Sequence, residues 1–432
     1  MRSCTHSEVR ADYKETGKDC YIMKTRAARL YGANDARLEE FELRPITDGE
    51  LLIKIISDSV CMSTHKTILQ GEKHLRVPEN VAENPVILGH EFCAEVVEVG
   101  AKWRDKFAVG DKVVMPPVLS YIGVETVGYS FCEIGGVSTY SIVYEHILDH
   151  DFLMKVNSDA YFNGSLIEPA SCVIRGYKAS MHLDGDTPKM GIKEGGKVAI
   201  LAGCGPMGLV AIDIALHGKT KPSMVVVTDI DDARLDRAKE IYSPEKAKVD
   251  GIELLFVNST DKDELIEISG GTGFDDVFVY APVSAVVELG DAILGFDGCL
   301  NFFAGPLDKK FSANFNFYNV HYAQHHVAGT SGSTPDDMRD IIELIGENRL
   351  DPSVMITHIG GIDAAIDTTV NLPKIPGGKK LIYTHIELPL TALADFEKLG
   401  ETDARFKALD ALVKSHKGLW NTEAEKYLLE NF

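Results

Sequence analysis

Near the middle of the chain a strand, a glycine-rich turn and a helix follow one another without a gap, and no other stretch restricts the fold as much. Lys197 to Leu201 reads KVAIL, an apolar strand; Gly203-Cys204-Gly205-Pro206-Met207-Gly208 follows, and the residues from Met207 to His217 have the composition of a helix. In a G-x-G-x-x-G turn of this kind, Gly203 makes the tight turn and Gly205 lets the backbone approach a pyrophosphate. Gly208 lets helix and strand pack closely. Pro206 and Met207 open the helix, whose free N–H groups and positive dipole end suit phosphate. A second strand, Met224 to Val227, ends in Thr228-Asp229, and Asp229 lies 21 positions after Gly208 (229 − 208 = 21). A carboxylate there accepts ribose hydroxyls and repels a 2′-phosphate, which favours NAD over NADP. Asp231 and Asp232 reinforce that preference, while Arg234 and Arg237 keep the NADP alternative open. Asp229 could equally cap a helix start, a role compatible with the first.

The same stretch, Val198 to Leu216, is apolar apart from Asp213, but its glycines belong to a turn and not to a membrane span. From Lys197 onward, strands (MVVVTDI, DDVFVYA, CLNFFAG) alternate with helical patterns (DDARLDRAKEIY, VSAVVELGDAIL), which implies a doubly wound parallel sheet. Before it, ELLIKIISDSV, AEVVEVG, DKVVMPP and STYSIVYE read as short strands punctuated by Gly and Pro, a mostly β domain. The expected organisation is an N-terminal extension over 1–22, a β-rich domain over 23–171 completed by 334–387, the dinucleotide domain over 172–333, and a C-terminal extension over 388–432. In that last segment Leu393, Phe396, Leu399, Phe406, Leu409, Leu412 and Val413 recur at helical spacing. They predict helices packed on the body or on a neighbouring subunit.

The chain has 432 residues and a formal charge of −21, a balance that repels nucleic acid and anionic membrane surfaces in the absence of a basic patch. Eight cysteines are scattered without C-x-x-C pairs, and no apolar leader precedes Met23, so a reducing, cytoplasmic setting is expected.

Cys61, His90, Glu91 and Glu168 are distant in sequence, yet thiolate, imidazole and carboxylate are the ligands Zn²⁺ takes. Spacing alone does not carry the assignment, since a lone strand cysteine is more often a small buried hydrophobe. Taken together, Cys61-x-Ser63, Gly89-His90-Glu91, Gly100, Gly110-Asp111-Lys112-Val113, Glu168-Pro169 and the glycine turn resemble the zinc-dependent medium-chain dehydrogenase/reductase superfamily. The resemblance runs from about Met23 to Ile386. It implies an α/β architecture of a GroES-like, mostly β catalytic domain and a Rossmann domain, here with a helical C-terminal extension. Glu168-Pro169 looks like the polyol, sorbitol dehydrogenase-like branch. VTDIDDARL, DGCLNFFAGP, FNFYNVHYAQHHVAGTSG and NLPKIPGGKKLIYTHI look most like bacterial proteins described as L-sorbose-1-phosphate reductases.

The resemblance makes Cys61 and His90 ligands of a catalytic zinc, with Glu91 and Glu168 sharing the remaining coordination, and makes Ser63 the hydroxyl that passes the alcohol proton onward. The sequence departs from the family at three places. Thr64 stands where an acid is usual. Lys66, with His65 beside it, stands at the usual relay-histidine position, so either could relay a proton, or Lys66 could hold an anionic substrate. Residues 112–137 contain only Cys132 where four cysteines would hold a structural zinc, so one zinc per chain is expected. The implied reaction interconverts a polyol, or its phosphate ester, and a ketose, using zinc as Lewis acid and NAD as hydride carrier. For a phosphate, Lys66, Lys73, Arg76 and Arg175 are the candidates, each with an ordinary reading as a solvated charge. A zinc-free quinone or enone reductase of the same superfamily and a non-catalytic nucleotide-binding protein are the competing readings. A homo-oligomer, dimer or tetramer, is expected, with the strand around Cys299 to Ala304 as the sheet edge where subunits would pair.

Overall fold

The computed structural model describes residues 23–119, 123–306 and 308–432; the extension expected over 1–22 lies outside them. Contacts divide the chain into two compact units, Met1–Glu168 with Ile356–Phe432, and Pro169–Met355. The return to the first unit therefore falls at Ile356 and not at residue 334. The helix Pro335–Gly346 stays with the second unit because its buried Asp337 takes an ion pair from Lys178 at 2.6 Å, and Met338, Ile341 and Leu344 are buried.

In the first unit the central strand is β1 (Leu51–Ser59), nearly every residue of which is buried. Apolar residues on both faces explain why it sits inside an eight-stranded sheet and not at its rim. On one side it pairs antiparallel with β2 (Phe92–Val99), setting Ser57 opposite Cys93 and Asp58 opposite Phe92. On the other it pairs antiparallel with β3 (Lys379–Tyr383), setting Tyr383 opposite Ser57. Leu51, Ile53 and Ile55 pack with Phe92, Ala94 and Val96 in the main core of the unit. Helix α1 (Met62–Gln70) starts immediately after β1, with Cys61 in extended conformation as its first flanking residue.

A short helix, α2 (Tyr161–Ser165), lies on β1 and β2. Ser165 Oγ is 2.6 Å from Ser57 Oγ and donates to the Ser57 carbonyl at 2.9 Å, while a methyl group on Gly164 would meet Cys93 Sγ at 2.3 Å. The next helix, Ile167–Ala179, carries Glu168 in its first turn. The C-terminal segment forms helices Phe396–Leu399, Ala404–Ser415 and α3 (Thr422–Asn431). They are held by the first unit itself: Phe396, Leu409, Trp420 and Leu428 are buried, and Trp420 Nε1 donates to the Tyr383 hydroxyl at 2.8 Å.

The second unit is built on a six-stranded sheet in the spatial order Glu253–Val257, Met224–Thr228, Lys197–Leu201, Phe274–Val279, Leu294–Phe302, His326–Ala328, all parallel. The order reverses beside Lys197–Leu201, which puts the glycine turn at the switch point of the sheet. The expected edge strand is corrected here. Leu294–Phe302 is interior, because His326–Ala328 adds outside it through Cys299, Leu300 and Asn301. No helix among the described residues is long and apolar enough to cross a membrane.

Because α2 touches Cys93 at the distance of a bare glycine, Gly164→Ala is expected to destabilise the protein by about 1–3 kcal/mol in urea unfolding. Adding Cys93→Ala should recover at least half of that loss; full additivity of the two changes would show that the contact is not the cause.

Candidate active site

Cys61 leaves the end of β1, and His90 and Glu91 immediately precede β2, so the antiparallel pairing of these strands brings their side chains together. One ligand atom from each of the three lies within 4.8 Å of the others. The Ser63 hydroxyl, in the first turn of α1, donates to Cys61 Sγ at 2.9 Å and lies 3.3 Å from His90 Nε2. Sulfur, imidazole nitrogen and carboxylate suit a borderline divalent cation with a position left for substrate or water. Glu168 is buried, and its charge acts on Cys61, Tyr129 and Lys379. Burial pushes the Cys61 thiol up to about 12, with Glu91 adding to the effect, so a cation taken up here must displace a proton.

The His90 ring is oriented by neighbours other than an acid. Thr64 Oγ1 lies 3.4 Å from Nδ1, and the Tyr129 ring is 5.2 Å away, centroid to centroid. Of the two relay candidates, His65 is buried with Nδ1 2.9 Å from the Thr369 carbonyl, a bond that commits one ring nitrogen to α1's neighbour; Lys66 is half-buried on the same helix.

Lys379, Ser59 and Tyr129 were not suggested by the sequence pattern. Lys379 Nζ donates to both Glu91 oxygens, at 2.8 and 2.6 Å, and Ser59 Oγ donates to Glu91 Oε2. Burial alone would push the Glu91 carboxyl up, but Lys379 and His90 hold it below the usual range. The Lys379 ammonium is correspondingly held above its ordinary value against its own burial. In sequence, Lys379-Lys380 opens the apolar strand KKLIY and reads as a solvated strand end; only the register of β3 on β1 shows otherwise. Tyr129 joins the site from a loop. It bonds Ser63, stacks on His74 at 5.4 Å, and has the Arg76 guanidinium over its ring at 5.6 Å.

In the second unit the glycine turn shows the space each glycine provides. A methyl group on Gly208 would stand 2.2 Å from the Gly203 carbonyl oxygen, one on Gly203 would stand 2.8 Å from that of Ile200, and one on Gly205 would meet nothing. Gly205 flanks the helix Pro206–His217, with Pro206 and Met207 in its first turn. Asp229 follows the strand Met224–Thr228; it is buried and accepts from the backbone N–H groups of Cys204 and Asp231, each at 3.2 Å. Its carboxylate thereby ties the second strand to the glycine turn.

Two family models match the chain: the alcohol dehydrogenase GroES-like domain over residues 47–152 and the zinc-binding dehydrogenase domain over residues 206–347. Mannitol-1-phosphate 5-dehydrogenase of Aliivibrio fischeri is 48% identical, over 95% of this chain and 98% of its own. L-sorbose 1-phosphate reductase of Klebsiella pneumoniae is 44% identical, over 94% and 98%. An alcohol dehydrogenase structure from Thermotoga maritima matches the fold with a TM-score of 0.68 at 20% identity, covering 84% of this chain and all of that one. The chain belongs to the zinc-dependent medium-chain dehydrogenase/reductase superfamily, in its polyol dehydrogenase branch. It is an alcohol or polyol dehydrogenase, an oxidoreductase that works with zinc and a nicotinamide cofactor.

Removing the cation that faces Glu91 leaves a buried carboxylate without its partner. Lys379→Met is expected to lower the stability of the metal-free protein by about 3–5 kcal/mol in denaturant unfolding, and Glu91→Gln combined with it should restore most of that. A double variant as unstable as the sum of the singles would show that the pair is not coupled.

Proposed function

We propose that this chain interconverts a sugar-alcohol phosphate and the corresponding ketose phosphate with NAD as the hydride carrier, at a single zinc per chain. The convergence of Cys61, His90 and Glu91 around the Ser63 hydroxyl carries this reading. Cys61 and His90 would hold the zinc. Both Glu91 oxygens are engaged by Lys379, which favours Glu168 as the carboxylate that joins them and Glu91 as its support. Bound there, zinc would supply Lewis acidity toward the substrate oxygen.

The residues of the chain do the rest. Ser63 can hold the alcohol proton and pass it on, since its oxygen already exchanges hydrogen bonds with the groups that surround the substrate position. Lys379 offsets part of the negative charge that a thiolate and two carboxylates bring together. Asp229, beside the glycine turn, supports binding of a ribose without a 2′-phosphate, and therefore NAD.

Both relatives named above act on phosphate esters, and one arginine here suits that chemistry. Arg175 lies 3.9 Å from Asp337, an acid that also pairs with Lys178. Arg76 has no carboxylate partner among the described residues and is linked to His90 through the Tyr129 ring. We assign it the substrate phosphate, in preference to Lys66 and Lys73, which lack such a link.

Purified protein should contain about one zinc per chain and oxidise mannitol 1-phosphate, or reduce L-sorbose 1-phosphate, in preference to the unphosphorylated sugars; equal rates on both would overturn the phosphate assignment. Arg76→Gln should raise KM for the phosphorylated substrate about 10- to 100-fold, the loss of one charge-assisted contact, and leave the unphosphorylated substrate within a factor of two. Asp229→Ser should shrink the preference for NAD over NADP by at least about tenfold.

A further inference from the structure

The C-terminal segment reaches the metal centre through one buried acid. Glu425, on α3, accepts from the backbone N–H groups of Tyr161 at 2.6 Å and Phe162 at 2.8 Å, the free donors at the start of α2, and from the Tyr383 hydroxyl at 2.8 Å. Only 2% of Glu425 is exposed. A carboxylate delivered from more than 260 residues away thus does what a local capping side chain does elsewhere; Ala160, which stands at the capping position of α2, has no side chain able to do it.

The two elements it joins both lead to the metal centre. Helix α2 bonds Ser57 of β1 and abuts Cys93 of β2, the strands that present Cys61 and Glu91, and it runs within two residues into the helix carrying Glu168. Strand β3 begins at Lys379, which holds Glu91, and ends at Tyr383, which holds Glu425. We propose that Glu425 is a positioning residue for the metal centre, fixing through α2 and β3 the segments that present Glu168 and Lys379. The proposal rests on the reading of Cys61, His90 and Glu168 as the zinc-holding set, with Glu91 as its support.

Burial pushes the Glu425 carboxyl up to about 7, opposed by Tyr383 and the two N–H groups. The ionisable groups that face it are Tyr161, itself bonded to Glu95, Cys93 on β2, Lys112 on the adjoining strand and Tyr383 on β3. Above that pH Glu425 is a carboxylate that accepts from all three donors; below it the group is protonated and close in shape and charge to a glutamine.

The test is zinc affinity, measured by competition with a chromophoric chelator on the full-length protein, together with thermal unfolding. At pH 8, Glu425→Gln should bind zinc about tenfold more weakly than wild type, the size of effect seen when a supporting group behind a ligand is removed. At pH 6 the two should converge. Tyr383→Phe, which removes one donor, should move zinc affinity in the same direction by less. A Glu425→Gln protein that melts earlier yet holds zinc as wild type does at pH 8 overturns the proposal and leaves Glu425 a cap for stability alone. Wild-type protein that takes up no zinc, or Cys61→Ser protein that takes it up equally well, overturns the metal reading instead, so the two failures are distinct.

Discussion

An ammonium placed against a buried carboxylate is what the site depends on. Cys61, Glu91 and Glu168 are three acids in one poorly hydrated region, and without a cation each would oppose ionisation of the others. Lys379 sits against Glu91 with two bonds, and Ser59 adds a third. That arrangement lets Glu91 stay ionised where burial alone would neutralise it. A zinc ion held by these residues would add the remaining positive charge. The protein therefore enters metal binding with one charge already balanced and one thiol proton still to be lost.

The same logic explains why so many elements converge on β1. It is the only described strand that pairs with β2, β3 and Tyr140–Val143, and its last residue precedes Cys61 by two positions. Any shift of register on either side would carry Glu91 or Lys379 to the wrong face, because neighbouring side chains alternate across a sheet. The core residues Ile53 and Ile55 hold that register by burial, so the hydrophobic pattern and the metal chemistry are fixed by one strand.

Much of this could be read from the amino acids. The glycine turn identified itself because its chemistry is local: strand, turn and helix are contiguous, and the carboxylate of Asp229 follows at a characteristic distance. Cys61, His90 and Glu91 could be singled out only through family resemblance, since pairing of β1 with β2 is what joins them. Lys379 could not be found at all. Two adjacent lysines before an apolar strand have the composition of an exposed end, and their opposite fates, one on Glu91 and one on the carbonyls of Pro376 and Gly378, are decided by the pleat. The edge of the parallel sheet was misjudged for a similar reason. The run after Cys299 is apolar enough to be interior, and the three-residue strand His326–Ala328 that covers it is too short to announce itself.

The first unit is discontinuous: the strand carrying Lys379 and the helix carrying Glu425 come from the last eighth of the chain, whereas Cys61 and His90 come from its first quarter. The second unit is one uninterrupted stretch and can close on itself as it is made. During synthesis the nucleotide fold can thus be complete before Lys379 and Glu425 are translated. The ammonium and the carboxylate that would support the proposed metal centre are thus translated well after the thiol and imidazole they serve, so the cradle would be completed late.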